Sequence, residues 1–235
     1  MHKIALNPAV QQRILERRGR LNPFDTLAPA RTAHVVVDLQ NGFMAPGAIS
    51  EIANAREIVP QVNRISRALR EAGGLVVYIQ NTFGPEIAAG WSTFFSHFCT
   101  PARREASIAA FTPGNWQHAL WPELDVSAQD LVIQKTRFGA FAPGASTLHE
   151  TLQARGIDTL IITGTATNVC CESTARDAMM MDYKVFFVSD ANATHTDEEH
   201  NATLTALANI FADLRGTEEM VALIRSGHAL RQAAE

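Results

Sequence analysis

The hydrophobic pattern is dominated by short apolar runs that are rich in β-branched residues and are separated by segments with helical spacing. The runs do not alternate strictly between apolar and polar positions, as expected of strands that are covered on both faces. They predict five strands, at 34–37, 75–79, 131–133, 159–162 and 185–188. A short sixth strand is expected near 212–215, before a last helix over 218–224.

The segments between the runs predict helices, two of which end at glycines (Gly73 and Gly156) that favour a helix C-terminus. These helices are expected at 58–72, 146–155, 169–181 and 197–211. Alternation of strand and helix predicts right-handed βαβ units. The expected fold is therefore α/β, with three layers (αβα) around a six-stranded parallel sheet of Rossmann-like topology. In such a sheet the functional groups gather at the carboxyl ends of the strands.

Two regions stand outside this alternation. The first 30 residues contain a helical stretch at 8–18, and we interpret residues 1–30 as an extension of one domain that spans 31–235. Residues 81–128 are irregular and hold all three tryptophans. A long insertion between strands is usually a lid, a binding loop or a subunit contact, and the sequence leaves these three roles open.

Length and charge narrow the class of protein. A chain of 235 residues with 46% hydrophobic content suits one α/β core. A net charge of -4 provides no basic field for nucleic acid or an anionic membrane, so a small molecule is the expected partner. No apolar run approaches the roughly 20 residues of a membrane span, and the N-terminus lacks the apolar core of a signal peptide. A cytoplasmic protein is expected.

The cysteines do not form a disulfide framework. Cys170 and Cys171 are adjacent and Cys99 is far away in the sequence. The three cysteines therefore also lack the spacing of a metal site. Free thiols in a reducing compartment are expected. A single cysteine is more often an inert small hydrophobe than a nucleophile, so its position must support any reactive role.

Three groups of complementary chemistry follow predicted strands. Asp38 and Lys135 come at the ends of the first and third strands, and Cys170 follows the fourth strand after a glycine-containing turn. Either charged residue alone could be a structural ion-pair member. All three at one edge of one sheet instead indicate a site.

Cys170 is expected at the start of a helix, with Asn168 as the N-cap. Free backbone N–H groups and the helix dipole would there favour a thiolate and could hold an oxyanion, and a lysine ammonium would add to the effect. Cys171 competes for the role, but a helix rotates neighbours by about 100°, so both thiols cannot face one pocket. The residues alone favour Cys170 only slightly.

Three segments together resemble the isochorismatase-like cysteine hydrolase family: 35–43 (VVVDLQNGF), 135–141 (KTRFGAF) and 164–178 (GTATNVCCESTARDA). The resemblance runs from about residue 33 to 225. It implies that Asp38, Lys135 and Cys170 form a catalytic triad, and it selects Cys170 over Cys171.

The same resemblance implies further features of the site. A non-proline cis peptide bond is expected at Thr165–Ala166, and the N–H groups of Ala166 and Cys170 are expected to form an oxyanion hole. The ureidoacrylate amidohydrolase branch is the most similar, on 80–83 (QNTF), 114–116 (GNW) and the loop 166–170.

This chain departs from that branch at two aromatic positions. Phe83 stands where the branch has tryptophan, and Phe138 where it has tyrosine, which leaves the substrate open. We expect Asn81 and Phe83 to hold the substrate, and Trp116 and Phe138 to form an apolar wall. Packing of a lid or a dimer is an alternative role for the aromatic side chains.

The predicted function is hydrolysis of a C–N bond in a small ureido, carbamoyl or amide substrate through a thioester. No metal is expected, because the Asp-x-His motif of zinc-dependent nicotinamidases is replaced here by Asn81-Thr82-Phe83. No other cofactor is expected either, since no Gly-x-Gly-x-x-Gly follows the first strand. The alternatives are a vinyl ether hydrolase of isochorismatase type and a non-catalytic binding protein. The resemblance to this family also implies a homodimer or homotetramer.

Overall fold

Six parallel strands form one sheet in the computed structural model, which describes residues 1–234. The strands are β1 (Thr32–Val37), β2 (Leu75–Asn81), β3 (Leu131–Lys135), β4 (Thr159–Thr165), β5 (Lys184–Ala193) and β6 (Asp213–Arg215). Their spatial order is β3-β2-β1-β4-β5-β6, and every neighbouring pair is parallel. This is the Rossmann order, in which the chain changes direction between β1 and β4. The predicted fold class is confirmed.

Helices cover both faces of the sheet. They are α1 (Pro8–Arg18), α2 (Asn41–Met44), α3 (Val59–Glu71), α4 (Ile87–Gly90), α5 (Ser92–His97), α6 (Pro101–Ala110), α7 (Leu148–Gln153), α8 (Glu172–Met180), α9 (Asp197–Ala206) and α10 (Thr217–Ala234). Short 3₁₀ helices also occur at Pro29–Arg31, Ala53–Ile58 and Trp116–His118, and wide π-helical turns at Thr167–Cys171 and Leu207–Phe211.

The strands are buried on both faces, which explains their lack of alternation. Every residue of β1 is buried. On one face Val36 and its neighbours pack against α3 and α10, and on the other Val35 and Val37 pack against α7, α8 and α9. Each layer therefore buries a continuous apolar surface, the main favourable contribution to folding.

Most predicted elements occur, with shifted ends. The strand β5 runs to Ala193, past the predicted end at 188, and the last helix runs to Ala234 instead of 224. The helix predicted at 169–181 starts with a π-helical turn, and the helix predicted at 197–211 ends with one. Within 81–128 the chain forms α4, α5 and α6, where no helix was predicted. The last of these starts at Pro101 after Thr100, whose side chain accepts from the Arg103 N–H.

The strands β1 and β4 approach closely at Gly164. Its φ of 124° lies in the region that favours glycine, and a Cβ there would lie 2.1 Å from the carbonyl oxygen of Val37. A glycine is therefore needed directly beside the end of β1. This contact brings the turn that follows β4 against the residue after Val37, which is Asp38.

The N-terminal extension contains the predicted helix α1 and packs on the main body. Ile14 is buried, His2 Nδ1 lies 2.8 Å from Asp197, and the Ala5 N–H donates to Asn201 at 2.8 Å. The division of the chain at residue 30 stays a prediction. None of the helices in residues 1–234 combines the length and the apolar character needed to cross a membrane.

Candidate active site

Asp38 ends β1 in an unusual backbone conformation. Its N–H still continues the sheet by donating to Ile79 at 3.0 Å, but its φ is 54°, in the left-handed region. The chain therefore turns sharply at this residue. The carboxyl group is completely buried at the carboxyl edge of the sheet, as predicted from its position after the strand.

Lys135 is the last residue of β3 and is also completely buried. Because β2 lies between β1 and β3, only a long side chain can reach the end of β1. Its Nζ lies 2.8 Å from Asp38 Oδ2 and 3.6 Å from Cys170 Sγ. It also donates to the carbonyl of Arg137 at 3.0 Å and to the Asn81 side chain at 3.4 Å. The ammonium group is thus held between the acid and the thiol.

Cys170 lies in the π-helical turn between β4 and α8. The N-cap of this turn is Ala166, so the prediction of Asn168 as N-cap was wrong. The Asn168 side chain instead accepts from Thr194 Oγ1 at 2.7 Å, which ties it to the segment after β5. The Thr165–Ala166 peptide bond is cis.

The two adjacent cysteines have different surroundings. Cys170 lines a cavity, whereas Cys171 is completely buried in the core on the face formed by α7, α8 and α9. The choice that sequence reasoning left open follows from this difference. Only Cys170 can meet a bound molecule in this conformation.

The thiol does not have the low pKa that was expected. Burial raises the pKa of Cys170, the Asp38 charge raises it further, and Lys135 only partly opposes them. Burial and the Asp38 charge therefore favour the neutral thiol over the thiolate.

The Asp38–Lys135 pair carries the charges of the site. Burial raises the pKa of Asp38, and the neighbouring Lys135, Cys170 and the Asn81 backbone oppose that shift. Burial alone would lower the pKa of Lys135, but the Asp38 carboxylate and the Cys170 sulfur raise it above its ordinary value. The pair is best described as carboxylate and ammonium, with a carboxylate more basic than an exposed aspartate. Such a group is suited to accept a proton from the thiol.

A cavity of about 470 Å³ opens above Cys170. Of the predicted site residues, Asn81, Phe138, Ala166 and Cys170 line it. The remaining lining residues, which sequence reasoning did not identify, are Phe43, Ala48, Ile49, Ser50, Glu51, Ile52, Arg103, Val169 and His195. Phe43 and Val169 belong to two of the segments that carry the family resemblance, whereas the others come from segments without a recognisable motif, so only the folded chain brings them together.

Two predicted substrate contacts do not line this cavity. Phe83 is buried and packs edge-on against Phe95 and Phe111, with ring centroids 5.3 and 5.8 Å apart. The Trp116 side chain is 64% exposed. Phe83 thus belongs to an aromatic cluster beneath α4, α5 and α6, which supports the cavity wall from behind.

The structure has a second cavity, and its acidic, histidine and cysteine side chains bear on metal binding. A cavity of about 540 Å³ lies at the amino ends of the strands, between Arg31, Asp158 and Lys184, and contains none of the three reactive groups. Across residues 1–234 no three or more His, Cys, Asp or Glu side chains are grouped so that they could hold a metal ion.

The fold and the site define an α/β enzyme with a thiol, a carboxylate and an ammonium group at the carboxyl edge of a Rossmann-ordered sheet. Residues 32–219 match the model of the isochorismatase domain. The chain belongs to the isochorismatase family and is a hydrolase of that family.

Individual relatives agree with this assignment. The ureidoacrylate amidohydrolase RutB of Methylobacterium radiotolerans is 35% identical over 198 residues, which cover 78% of this chain and 74% of the relative. A cysteine hydrolase from Pseudomonas syringae pv. phaseolicola has a similar structure, with a TM-score of 0.76, 25% identity, and coverage of 88% of this chain and 98% of that one. N-carbamoylsarcosine amidase from Thermoplasma acidophilum superposes with a TM-score of 0.64 and 25% identity, covering 80% and 97%.

Proposed function

We propose that this chain is a cysteine-dependent amidohydrolase that cleaves a C–N bond in a small ureido, carbamoyl or amide substrate. One observation carries the proposal: Lys135 Nζ contacts both Asp38 and Cys170 at the base of an open cavity. The names of the relatives support it, since ureidoacrylate amidohydrolases and an N-carbamoylsarcosine amidase act on bonds of this class.

In the first step the Cys170 sulfur attacks the substrate carbonyl while its proton passes to Asp38. Since burial and the Asp38 charge raise the pKa of the thiol, its proton is transferred as the sulfur attacks. The oxygen of the tetrahedral intermediate is held by the N–H groups of Ala166 and Cys170. Each such donor lowers the barrier by about 3 kcal/mol in comparable enzymes.

In the second step the C–N bond breaks as Asp38 returns the proton to the leaving nitrogen. A thioester with Cys170 remains. Asp38 then takes a proton from water, the water oxygen attacks the thioester, and the thiol is restored. Lys135 stays an ammonium ion throughout and holds Asp38 in place at 2.8 Å. These steps need no metal or other cofactor.

The substrate contacts are proposed from the cavity wall. Asn81 and Phe138 line it and are suited to bind the polar and apolar parts of a small substrate. Phe83 acts less directly, through the packing of the insertion, and the exposed Trp116 does not line the cavity. A homodimer or homotetramer and a cytoplasmic location stay predictions.

Replacement of each cysteine tests the mechanism. The Cys170→Ala variant should lose turnover of ureido acids, carbamoyl amino acids, maleamate and nicotinamide, scored by ammonia release, whereas Cys171→Ala should keep most activity on any substrate found. Loss in Cys171→Ala with normal activity in Cys170→Ala would refute the assignment. An isochorismatase-type vinyl ether hydrolase would survive iodoacetamide, and a binding protein would turn over nothing.

A further inference from the structure

The rim of the cavity above Cys170 carries an uncompensated positive charge. Among the described residues that line it, Glu51 and Arg103 carry permanent charges. Glu51 is already paired, since it accepts from the Gly47 N–H at 2.7 Å and from Arg56 at 2.9 Å. Both contacts hold the pKa of Glu51 below its ordinary value. Arg103 is therefore the source of the net charge at the rim.

Arg103 has hydrogen-bonding capacity to spare. One guanidinium nitrogen donates to Ser50 Oγ at 3.0 Å, and within residues 1–234 the group makes no ion pair. An arginine has five N–H donors in a planar fork, which matches the two oxygens of a carboxylate. The fork is exposed and still able to form a bidentate pair.

The base of the cavity has no such charge to offer. Lys135 is completely buried and is neutralised by Asp38 at 2.8 Å, and burial favours the neutral form of the Cys170 thiol. A charged substrate that reaches the thiol would find a matching charge only at the rim. The cavity thus has no net charge at its floor, where Cys170 lies, and a positive charge at its rim.

The position of Arg103 is fixed by two contacts. Its N–H donates to Thr100 Oγ1 at 3.2 Å in the first turn of α6, and its side chain reaches the loop that carries Ser50. That loop is itself held at Ile49, whose N–H donates to Gln117 at 3.0 Å. The guanidinium therefore projects from a supported element across the cavity mouth.

We propose that Arg103 determines specificity by binding a carboxylate on the substrate, at the end remote from the bond that is cut. The inference rests on the proposed function and narrows it: the substrate is a small ureido, carbamoyl or amide compound that also carries a carboxylate. Neutral amides of the same size are poor ligands, because they leave the rim charge unpaired.

The test compares matched ligands that differ only in this group: 3-ureidopropionate with 3-ureidopropanamide, and maleamate with maleamide. Binding is measured by calorimetry in the Cys170→Ala background, where no turnover interferes. We expect the carboxylate of at least one pair to bind about 10- to 100-fold more tightly than its amide, the range of a charge-assisted hydrogen-bonded pair. Adding Arg103→Met should reduce that ratio to near one.

Two control variants separate recognition from structure. Arg104→Met removes the same charge from the adjacent position of α6, which does not line the cavity, and should keep the preference. Ser50→Ala removes one of the two contacts that fix Arg103 but keeps the guanidinium, and should reduce the preference without abolishing it. No carboxylate preference in either pair, or a preference that survives Arg103→Met, would overturn the proposal.

Turnover by the unmodified chain distinguishes the two hypotheses. An Arg103-dependent preference without ammonia release from either carboxylate would contradict the proposed hydrolysis and leave the carboxylate site standing. Ammonia release at equal rates from wild type and Arg103→Met, at substrate concentrations below KM, would support hydrolysis and refute the role of Arg103.

Discussion

The side-chain amide of Gln40 forms hydrogen bonds with both backbone groups of Asn81. Its Oε1 accepts from the Asn81 N–H at 2.7 Å, and its Nε2 donates to the Asn81 carbonyl at 3.1 Å. The same Nε2 donates to the carbonyl of His118 at 2.8 Å. Gln40 thus takes the place of a neighbouring strand for the last residue of β2, and it fixes the backbone from which the Asn81 side chain reaches Lys135.

Loss of the three Gln40 side-chain hydrogen bonds should lower both the stability of the fold and the rate of turnover. Gln40→Met keeps the volume of the completely buried side chain but removes three hydrogen bonds. The buried backbone groups left without partners should lower the free energy of unfolding by about 2–4 kcal/mol. Turnover should fall as Asn81 loosens. Urea denaturation and ammonia release measure the two effects.

Gln80→Met is the matched control, because among the described residues the half-buried Gln80 side chain donates a single hydrogen bond, to the His118 carbonyl at 3.0 Å. We expect it to cost less than about 1 kcal/mol. Equal losses of unfolding free energy from the two substitutions would show that Gln40 only fills space and that its hydrogen bonds to Asn81 do not stabilise the protein.

The sequence allowed prediction of those parts of the site that lie at strand ends. Asp38 and Lys135 follow apolar runs, and the carboxyl ends of parallel strands meet at one edge whatever the loops do. Cys170 was harder, because the turn from 167 to 171 is π-helical and changes the direction of each side chain relative to a regular helix. The family resemblance selected Cys170 over Cys171, which helix geometry alone could not do.

Residues whose positions depend on tertiary packing were not predictable. Arg103 follows β2 by about twenty residues. Its contact with Ser50 depends on how packing against the aromatic cluster positions α6. The same packing turns Phe83 away from the cavity that it was expected to line. No local pattern in 81–128 encodes either outcome.

The buried pair of Asp38 and Lys135 should behave as one unit. Lys135→Met leaves a buried carboxylate without its partner, which should cost about 3–5 kcal/mol of folding free energy. Asp38→Asn leaves a buried ammonium group and should cost a similar amount. The double variant removes both charges, so it should be less destabilised than the sum of the two.

Urea denaturation of all four proteins gives the coupling energy. Ammonia release should be lost in both single variants and in the double variant, since the recovered stability restores neither the base nor the ammonium group. Additive losses of stability would mean that the two charges do not interact, despite their separation of 2.8 Å.

Alkylation of Cys170 should report its raised pKa. With burial holding the pKa above the ordinary 9.0, the rate of reaction with iodoacetamide should keep rising with pH through the alkaline range. Lys135→Met should slow it further, because the ammonium group favours the thiolate. Mass spectrometry of quenched samples identifies the modified cysteine. A rate that levels off below about pH 7 would indicate an acidic thiol and contradict this description.

Two buried histidines should make stability depend on pH. Burial lowers the pKa of His34 to about 3, and burial together with His2 lowers that of His200 to about 4. Both side chains are completely buried. Above the ordinary value of 6.5 neither state binds the proton, but below it the unfolded chain does and the folded one does not. The free energy of unfolding should therefore fall as pH decreases from about 6.5 toward 4.

Each histidine contributes a slope of up to about 1.4 kcal/mol per pH unit within its window. His200 contacts Thr167 Oγ1 at 2.9 Å and the Ser189 carbonyl at 3.0 Å, so His200→Gln preserves a polar side chain that can bond to both. Urea denaturation at pH 4.5, 5.5 and 6.5 should show a smaller slope in this variant than in the parent, since His34 and the buried His118, whose pKa burial also lowers, remain. His97→Gln, at an exposed position on α5, should leave the slope unchanged. If His200→Gln also left the slope unchanged, His200 would take up its proton equally in the folded and unfolded chains, which would contradict its lowered pKa.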